Sequence, residues 1–197
     1  MLPNQTENLD PRVRRTRQSI LQAFTDLVDR KGFQATSVQD ITEQAGINRA
    51  TFYAHFPDKY ALLQHSIEQE FRQEVQKRML NACQFSNHNL QELIVAVCEY
   101  VATTHARCQA TEQHFQSLVA TQVRTQVHRL LTAWLEKTPT LANPSVTKEQ
   151  AATAASWAIY GLATEWSRAR RQPPVEQYSA EVLPLVAANL GLTIQLT

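Results

Sequence analysis

Apolar residues recur along most of the chain with the three- and four-residue spacing of helices that bury one face. The first periodic segment follows Pro11 and stops near Gly32. Two short segments lie on either side of Gly46, and a long one runs from Asp58 to about Leu80. No stretch alternates convincingly as strands do, so the sequence predicts an all-α fold.

The second half of the chain continues this pattern. Periodicity predicts four further helices, over residues 90–105, 115–135, 147–170 and 179–190. A polar break at 86–89, a proline-containing loop at 138–145 and Pro173-Pro174 separate them. Thr147 and Gln150 have the spacing of a capping box at the start of a helix. The helix that follows is apolar around most of its circumference, which favours packing on two sides.

The pattern divides the chain into two predicted units. Residues 1–57 hold a loose arm of about ten residues and three helices, and residues 58–197 form a larger helical domain. A length of 197 residues is sufficient for one or two compact cores. We expect the following residues to lie in the core: Ile41, Phe52, Phe56 and Leu62.

Composition excludes several classes of protein. With 43% hydrophobic and 19% charged residues, the chain is typical of a folded protein and not of a disordered one. A net charge of +1 neither favours nor excludes nucleic acid. No apolar run reaches the length of about 18 residues that a membrane helix needs, and the N-terminus lacks a signal-peptide core, so we expect a cytoplasmic location.

Residues that could carry chemistry are few and scattered. The three cysteines show no Cys-x-x-Cys pairing, which disfavours a disulfide framework or structural zinc. Cys98, His105 and Cys108 leave open a metal or redox site, although small buried thiols are the favoured interpretation. No grouping of nucleophile and base and no phosphate-binding glycine loop occurs, so we expect no enzyme, metal or cofactor.

Two short helices joined at Gly46 and preceded by a longer one form the pattern of a helix-turn-helix. In the second short helix, Phe52 and Phe56 share one stripe and Ala50 and Ala54 lie opposite. Small residues on an outer face would let the backbone approach a DNA groove closely. A helix pair packed on a core has the same periodicity, so the pattern alone leaves both interpretations open.

The stretch SVQDITEQAGINRATFYAHFPDKYALL (37–63) resembles the DNA-binding segment of the tetracycline-repressor (TetR) family of bacterial transcriptional regulators. The upstream AFTDLVDRKGFQATS (23–37) is similar to the first helix and the Gly-Phe corner of that family. The resemblance covers about the first 65 residues, and beyond them only helical character is shared. Ala50 stands where the family often has glycine and Ala54 where it often has an aromatic residue, so base preference does not transfer.

The resemblance implies that a set of residues contacts DNA. The outer face of the third helix would meet bases or nearby backbone, and the start of the second helix, the end of the third and a basic cluster in the first would hold phosphates or reach the minor groove. The implied residues are Arg12, Arg14, Arg15, Arg17, Thr36, Ser37, Asn48, Arg49, Ala50, Thr51, Tyr53, His55 and Lys59.

The resemblance also implies a C-terminal inducer pocket and a homodimer formed by the last two helices. The pocket candidates are Phe85, Tyr100, His105, His114, Phe115, His128, Trp134 and Trp157. The dimer candidates are Ala155, Ala158, Ile159, Leu162, Trp166, Leu183, Val186 and Leu190. Burial inside the core of one subunit is the alternative for both sets, because periodicity detects burial and not the partner.

We therefore expect a ligand-responsive transcriptional regulator that binds double-stranded DNA. Its simplest form is a repressor that binds a palindromic operator as a homodimer and is released by a small-molecule inducer. The alternative is a helical adaptor of the same fold that acts through protein partners.

Overall fold

The structure, a computed structural model, describes residues 10–78, 85–107, 113–138, 145–170 and 172–191. Within these ranges it contains helices and no strand, which confirms the all-α prediction. The helices are α1 (Pro11–Lys31), α2 (Val38–Ala45), α3 (Arg49–His55), α4 (Lys59–Arg78), α5 (Asn87–Arg107), α6 (Gln113–Glu136), α7 (Lys148–Arg168) and α8 (Val175–Asn189). Most of the predicted loop 138–145 lies outside the described residues, as do Cys83, Cys108 and the side chain of His114.

Local capping determines where the first three helices begin and end. The Asp10 carboxylate accepts from the backbone N–H of Arg12 at 2.7 Å and opens α1, with Pro11 in its first turn. Ser37 opens α2 in a capping box. Gly46 ends α2 with φ of 66°, a left-handed conformation that only glycine adopts readily.

The last helix begins at Val175, four residues before the predicted Ser179. Pro174 is the residue that precedes the first turn, and its carbonyl accepts from the backbone N–H of Tyr178 at 3.0 Å. The proline pair therefore stands at the start of α8 and does not end α7, which already stops at Arg168. Pro184 is tolerated inside α8 because its side of the helix is exposed to solvent, where water can satisfy the carbonyl that loses its partner.

The helices pack as a small head, α1–α3, on a larger body, α4–α8. In the body, α7 packs on α5 and α6, while α8 covers α5 and α7; α4 contacts α1 as well as α5 and α6. The buried apolar side chains form one continuous cluster through head and body. It includes the four predicted core residues, Ile41, Phe52, Phe56 and Leu62, which are 0–2% exposed. No helix within the described ranges is long and apolar enough to cross a membrane.

Candidate nucleic-acid interface

The outer face of α3 is exposed and rests on buried aromatic rings. Arg49, Ala50, Tyr53 and Ala54 are exposed, with Tyr53 at 54%. On the opposite side Phe52 is fully buried and meets the Tyr53 ring edge to face at 5.5 Å. A helix of seven residues gains little stability from propensity alone, so this inner packing holds the outer face in place.

Asn48 and Thr51 are engaged with each other at the start of α3. The Asn48 side-chain oxygen accepts from the backbone N–H of Thr51 at 2.7 Å and from its hydroxyl at 3.0 Å. Asn48 is therefore a helix cap, as its sequence context indicates. The Thr51 hydroxyl already donates inside the head, so it could meet a nucleic acid through its methyl group or as an acceptor.

Arg49 links the two short helices and still faces outward. Its Nη2 donates to the Gln39 side-chain oxygen at 3.0 Å. A guanidinium has five N–H donors in a planar fork, so this one bond leaves several for a phosphate or a guanine edge. The bond to α2 also restricts the direction in which the fork points.

The start of α2 differs from the phosphate site that the resemblance implies. Thr36 is fully buried, and its hydroxyl donates to the Gly32 carbonyl at 2.8 Å, so the implied phosphate contact through this hydroxyl is not available. The Ser37 hydroxyl and backbone N–H donate to the Asp40 carboxylate at 2.5 and 2.7 Å. These bonds, together with Lys31 at 2.9 Å, hold the pKa of Asp40 well below its usual range. A carboxylate thus occupies the place expected for phosphate.

Lys59 points into the head and not away from it. Its ammonium donates to the carbonyls of Phe33, Gln34 and Thr36 at 3.1, 3.3 and 2.9 Å, and it lies 4.6 Å from the centre of the Phe33 ring. An ammonium has three N–H donors, and the corner between α1 and α2 engages all of them. The implied phosphate contact of Lys59 is therefore replaced, in this structure, by a structural contact.

The basic cluster of α1 separates into two groups. Arg12, Arg14 and Arg15 are exposed, whereas the Arg17 guanidinium lies 4.7 Å from the centre of the Phe56 ring, between α1 and the end of α3. Partial burial, and secondly the charge of Arg17, lowers the pKa of His55. His55 is therefore held in its neutral form at pH 7, and it could meet a phosphate by a hydrogen bond but not by charge.

The pocket candidates do not share one site. Phe85 packs edge to face on Trp134 at 6.3 Å, the His105 ring lies 2.9 Å from the Ser167 hydroxyl, and His128 lies 3.2 Å from the Glu149 carboxylate. Trp157 was expected in a pocket but is 60% exposed, with the Arg124 guanidinium 3.6 Å from its ring centre. Two of the candidates, Tyr100 and Phe115, do line a cavity.

That cavity has a volume of about 170 Å³ and lies between head and body. The end of α1 forms one wall and α4, α5 and the start of α6 form the others. It adjoins an open cleft of about 770 Å³ between α1, α4 and α5, with which it shares Thr25, Ser66, Glu70, Tyr100 and Thr104. Residue spacing on separate helices gave no signal for this site, because its walls meet only in the folded chain.

The dimer candidates fall into two groups by exposure. Ala155, Ile159, Val186 and Leu190 are fully buried within one subunit and have no surface left for a partner, and Trp166 is 9% exposed. The partly exposed members are Ala158, Leu162 and Leu183. Sequence reasoning did not select Leu185, which is 61% exposed, or Gly161, whose Cα faces open space.

Cys98 shows no property of a metal or redox site. It is fully buried, and burial, followed by the neighbouring Glu99 charge, raises its pKa to about 12. It therefore stays a neutral thiol at physiological pH. Among the described residues, no group of three His, Cys, Asp or Glu side chains is arranged to hold a metal ion.

Comparison with known proteins agrees with this architecture. Residues 20–65 match the model of bacterial regulatory proteins of the tetR family. YxbF of Bacillus subtilis, an uncharacterized HTH-type transcriptional regulator, is 40% identical over 63 residues, which are 32% of this chain and 17% of that protein.

Similarity to solved structures extends over the whole fold. A TetR-family regulator from Streptomyces coelicolor A3 superposes with a TM-score of 0.63 at 18% identity, covering 92% of this chain and 97% of that one. FadR of Thermus thermophilus, a TetR-family transcriptional repressor solved with lauroyl-CoA, superposes with a TM-score of 0.56 at 18% identity and the same coverage.

The helix pair α2–α3 and its bracing helix α1 form a helix-turn-helix head on a helical body. Residues 20–65 match the tetR family of bacterial regulatory proteins, in the segment where the sequence resembles it, and the fold of the whole chain is similar to that of TetR-family structures.

Proposed function

We propose that the protein represses transcription by placing α3 in the major groove of a palindromic operator, as a homodimer that a small molecule releases. The observation that carries the proposal is the outer face of α3, where Arg49, Ala50, Tyr53 and Ala54 are exposed above buried rings. A recognition helix needs such an arrangement, with a rigid inner side and an outer side whose groups can reach base edges and phosphates.

The chemistry of this face suits a groove. Ala50 and Ala54 allow the α3 backbone to come close to base edges, and the Ala50 methyl group can contact thymine. Arg49 retains donors for guanine or phosphate, and the Tyr53 hydroxyl can reach the backbone. The exposed Arg12, Arg14 and Arg15 supply positive charge at the start of α1 for the phosphates or the adjacent minor groove.

A homodimer would present two such helices to successive major grooves, about 34–36 Å apart. Support for it comes from the exposed apolar residues of the last two helices, Trp157 on α7 and Leu185 on α8. These two helices pack on each other, so exposed apolar side chains on both could belong to one contact surface. In this arrangement α3 contacts DNA and α7 and α8 form the dimer contact. We therefore propose that the boundary between the DNA-binding unit and the ligand-binding and dimerisation unit lies after residue 57.

Release by a small molecule requires a coupling of about 1–3 kcal/mol between the ligand site and the head. α4 is the element that could transmit it, because it contacts α1 in the head and α5 and α6 in the body. The T. thermophilus FadR structure contains lauroyl-CoA, which supports a ligand role for this body fold without identifying the ligand of this chain.

Selection of bound fragments from a pool of random duplex DNA tests the proposal. We expect enrichment of a two-fold symmetric sequence and an affinity that falls steeply with salt, because bound phosphates release counterions. Ala50→Glu should abolish binding, since a carboxylate on this face meets the phosphates. Ala106→Glu, at an exposed alanine of α5, is the matched control and should bind normally.

Two results would contradict the proposal. Normal binding by Ala50→Glu would remove α3 from the interface. A failure to enrich any sequence at low salt, with the protein folded, would favour the alternative of a helical adaptor that acts through protein partners.

A further inference from the structure

The cavity between head and body has walls of two kinds. Its apolar lining includes Phe24 and Val28 of α1, Leu63 and Ile67 of α4, and Phe115 and Val119 of α6. With Tyr100 of α5, three aromatic rings therefore line the same space. A volume of about 170 Å³ is similar to that of an engineered cavity of about 150 Å³ that holds benzene. The space thus matches one six-membered ring in size.

The polar side of the cavity offers acceptors. The Thr104 hydroxyl donates to the Tyr100 carbonyl at 2.8 Å, and the Ser66 hydroxyl donates to the Glu70 carboxylate at 3.0 Å. Each hydroxyl has one hydrogen and two lone pairs, so its donor is used while its oxygen can still accept. A guest that carries a hydroxyl hydrogen would be satisfied at the Thr104 and Ser66 oxygens. Two cationic residues, Arg30 and Lys31, also line the cavity, and they are already engaged with Gln44 and Asp40.

We propose that this junction cavity is a binding site for a small monocyclic aromatic molecule that carries a hydrogen-bond donor, with phenol as the simplest example. The ring occupies the space between the α1 and α6 side chains, and its hydroxyl donates towards Thr104 and Ser66. Substituents of a larger ligand extend into the adjoining cleft, whose lining includes Gln22, Gln69 and Gln73.

This cavity is the place at which the small molecule of the proposed function would bind and act. Only this regulatory role of the cavity rests on the proposed function. Binding itself needs no DNA. A guest in this cavity touches the head through α1 and the body through α4, α5 and α6. It therefore senses any change in the position of the head, and by linkage it changes that position.

Phenol and anisole are the probes, because they have similar rings but only phenol can donate. Titrations of the 197-residue protein, labelled at the methyl groups of Ile, Leu and Val, are followed by NMR. Phenol should shift the methyl signals of Leu63, Ile67 and Val119 in the millimolar range expected for a ligand of this size. Anisole should bind about three- to tenfold more weakly, the factor that one hydrogen bond supplies.

Two threonine variants provide a matched pair. Thr104→Val keeps the shape of the side chain but removes the acceptor, so phenol should bind it about as weakly as anisole binds the unaltered protein. Thr164→Val is the control on α7, where the Thr164 hydroxyl also donates to the carbonyl four residues earlier. This variant should leave the affinity for phenol unchanged. Val119→Phe, which fills the cavity, should abolish the shifts at Leu63 and Ile67.

Several results would overturn the proposal. They are the absence of methyl shifts in the cavity with phenol near saturation of its solubility, equal affinities for phenol and anisole, and equal effects of the two threonine variants. Failure of the DNA selection alone would leave this binding site intact, so the two proposals are tested separately.

Discussion

The ammonium group of Lys59 closes the corner between α1 and α2. It binds three carbonyl oxygens of residues that follow α1, although Lys59 itself begins α4. One side chain thus connects two segments about 25 positions apart. The Phe33 carbonyl also accepts from the backbone N–H of Thr36 at 3.2 Å, and without Lys59 the corner would depend on water for its remaining hydrogen bonds. Lys59 is therefore a stability determinant of the head.

Replacing Lys59 tests this role. Lys59→Met keeps the aliphatic stem and should lower the free energy of unfolding by about 2–3 kcal/mol, because three carbonyls lose a charged donor. Arg14→Gln, at an exposed position of α1, should leave stability unchanged. Denaturant titration measures both. If DNA binding is found, Arg14→Gln should flatten the salt dependence by about one unit, whereas Lys59→Met should not change its slope.

Asp40 makes the head sensitive to acid. Hydrogen bonds from Ser37 lower its pKa, and Lys31 lowers it further, from an ordinary value of 3.8. A carboxyl group whose pKa is lowered on folding stabilises the fold above its unfolded pKa, and this contribution is lost as the pH falls below that value. Asp40→Asn should therefore reduce the melting temperature at pH 7.

The difference in melting temperature between Asp40→Asn and the unaltered protein should shrink below pH 4 and continue to fall with further acidification. Lys31→Met removes the ion-pair partner and should show a smaller difference with the same direction of pH dependence. A difference that stays constant from pH 7 to pH 2 would show that the charge of Asp40 does not stabilise the head.

At the scale of helices, α7 has a buried side and an exposed side whose composition is not accounted for by packing within one subunit. Ala151, Ala155 and Ile159 are buried against neighbouring helices, whereas Gly161 and Trp157 are exposed. Glycine inside a helix costs about 1 kcal/mol relative to alanine. A Cβ atom at Gly161 would meet nothing within 4 Å, so packing within the subunit does not account for it. Close approach of a second α7 would.

Two substitutions at Gly161 separate these effects. Gly161→Ala should raise the stability of α7 by up to about 1 kcal/mol. Gly161→Leu should fold equally well in one subunit but should prevent close approach, so sedimentation should find monomers. A Gly161→Leu protein that remains dimeric at the same concentrations would place α7 outside the interface.

At the scale of the whole molecule, head and body meet through aromatic packing around a cavity. The Phe33 ring of the α1–α2 corner lies 5.9 Å from the Phe115 ring of α6, and Tyr60 of α4 packs on the other side at 5.3 Å. These rings join the head to α4 and α6, beside the hydrogen bonds that Lys59 of α4 donates to the same corner. The contact between the head and α6 is thus aromatic, whereas the contact between the head and α4 is both aromatic and polar.

Phe115→Ala should loosen the head. We expect a loss of about 3–5 kcal/mol, the usual cost of truncating a buried Phe, with faster hydrogen exchange in α2 and α3. Leu131→Ala removes a buried side chain of α6 further from the head, and its effect on exchange should be confined to the body. Equal exchange in α2 and α3 for both variants would mean that the head does not depend on the Phe115 contact.

The head was predictable because its signals are local. Ser37, Gly46 and Asn48 determine helix ends within a few residues of themselves, because each is a residue type that favours such a position. The directions in which individual side chains point were not predictable. Lys59 carries a phosphate-binding group in a suitable segment, but its ammonium turns to carbonyls that only tertiary structure brings near. The Thr36 hydroxyl turns inward for a local reason, since it donates to the Gly32 carbonyl four residues earlier.

In the body, too, local patterns were predictable and contacts between distant residues were not. Periodicity detected α5–α8 and most of their buried faces, but it could not distinguish burial within a subunit from burial against a partner, as Ala155 and Trp157 illustrate. The junction cavity had no signal in the sequence because each helix contributes only one or two turns to it.

The junction cavity should make the contact between head and body sensitive to hydrostatic pressure. When a protein unfolds, its internal voids disappear and the total volume of protein and water decreases. Hydrostatic pressure therefore favours conformations that lack those voids. Compression should therefore open the junction between α1 and the body while the tightly packed interior of α5, α6 and α7 is still intact. Pressure would then move the head without any ligand, and Val119→Phe, which fills the void, should make the junction resist compression.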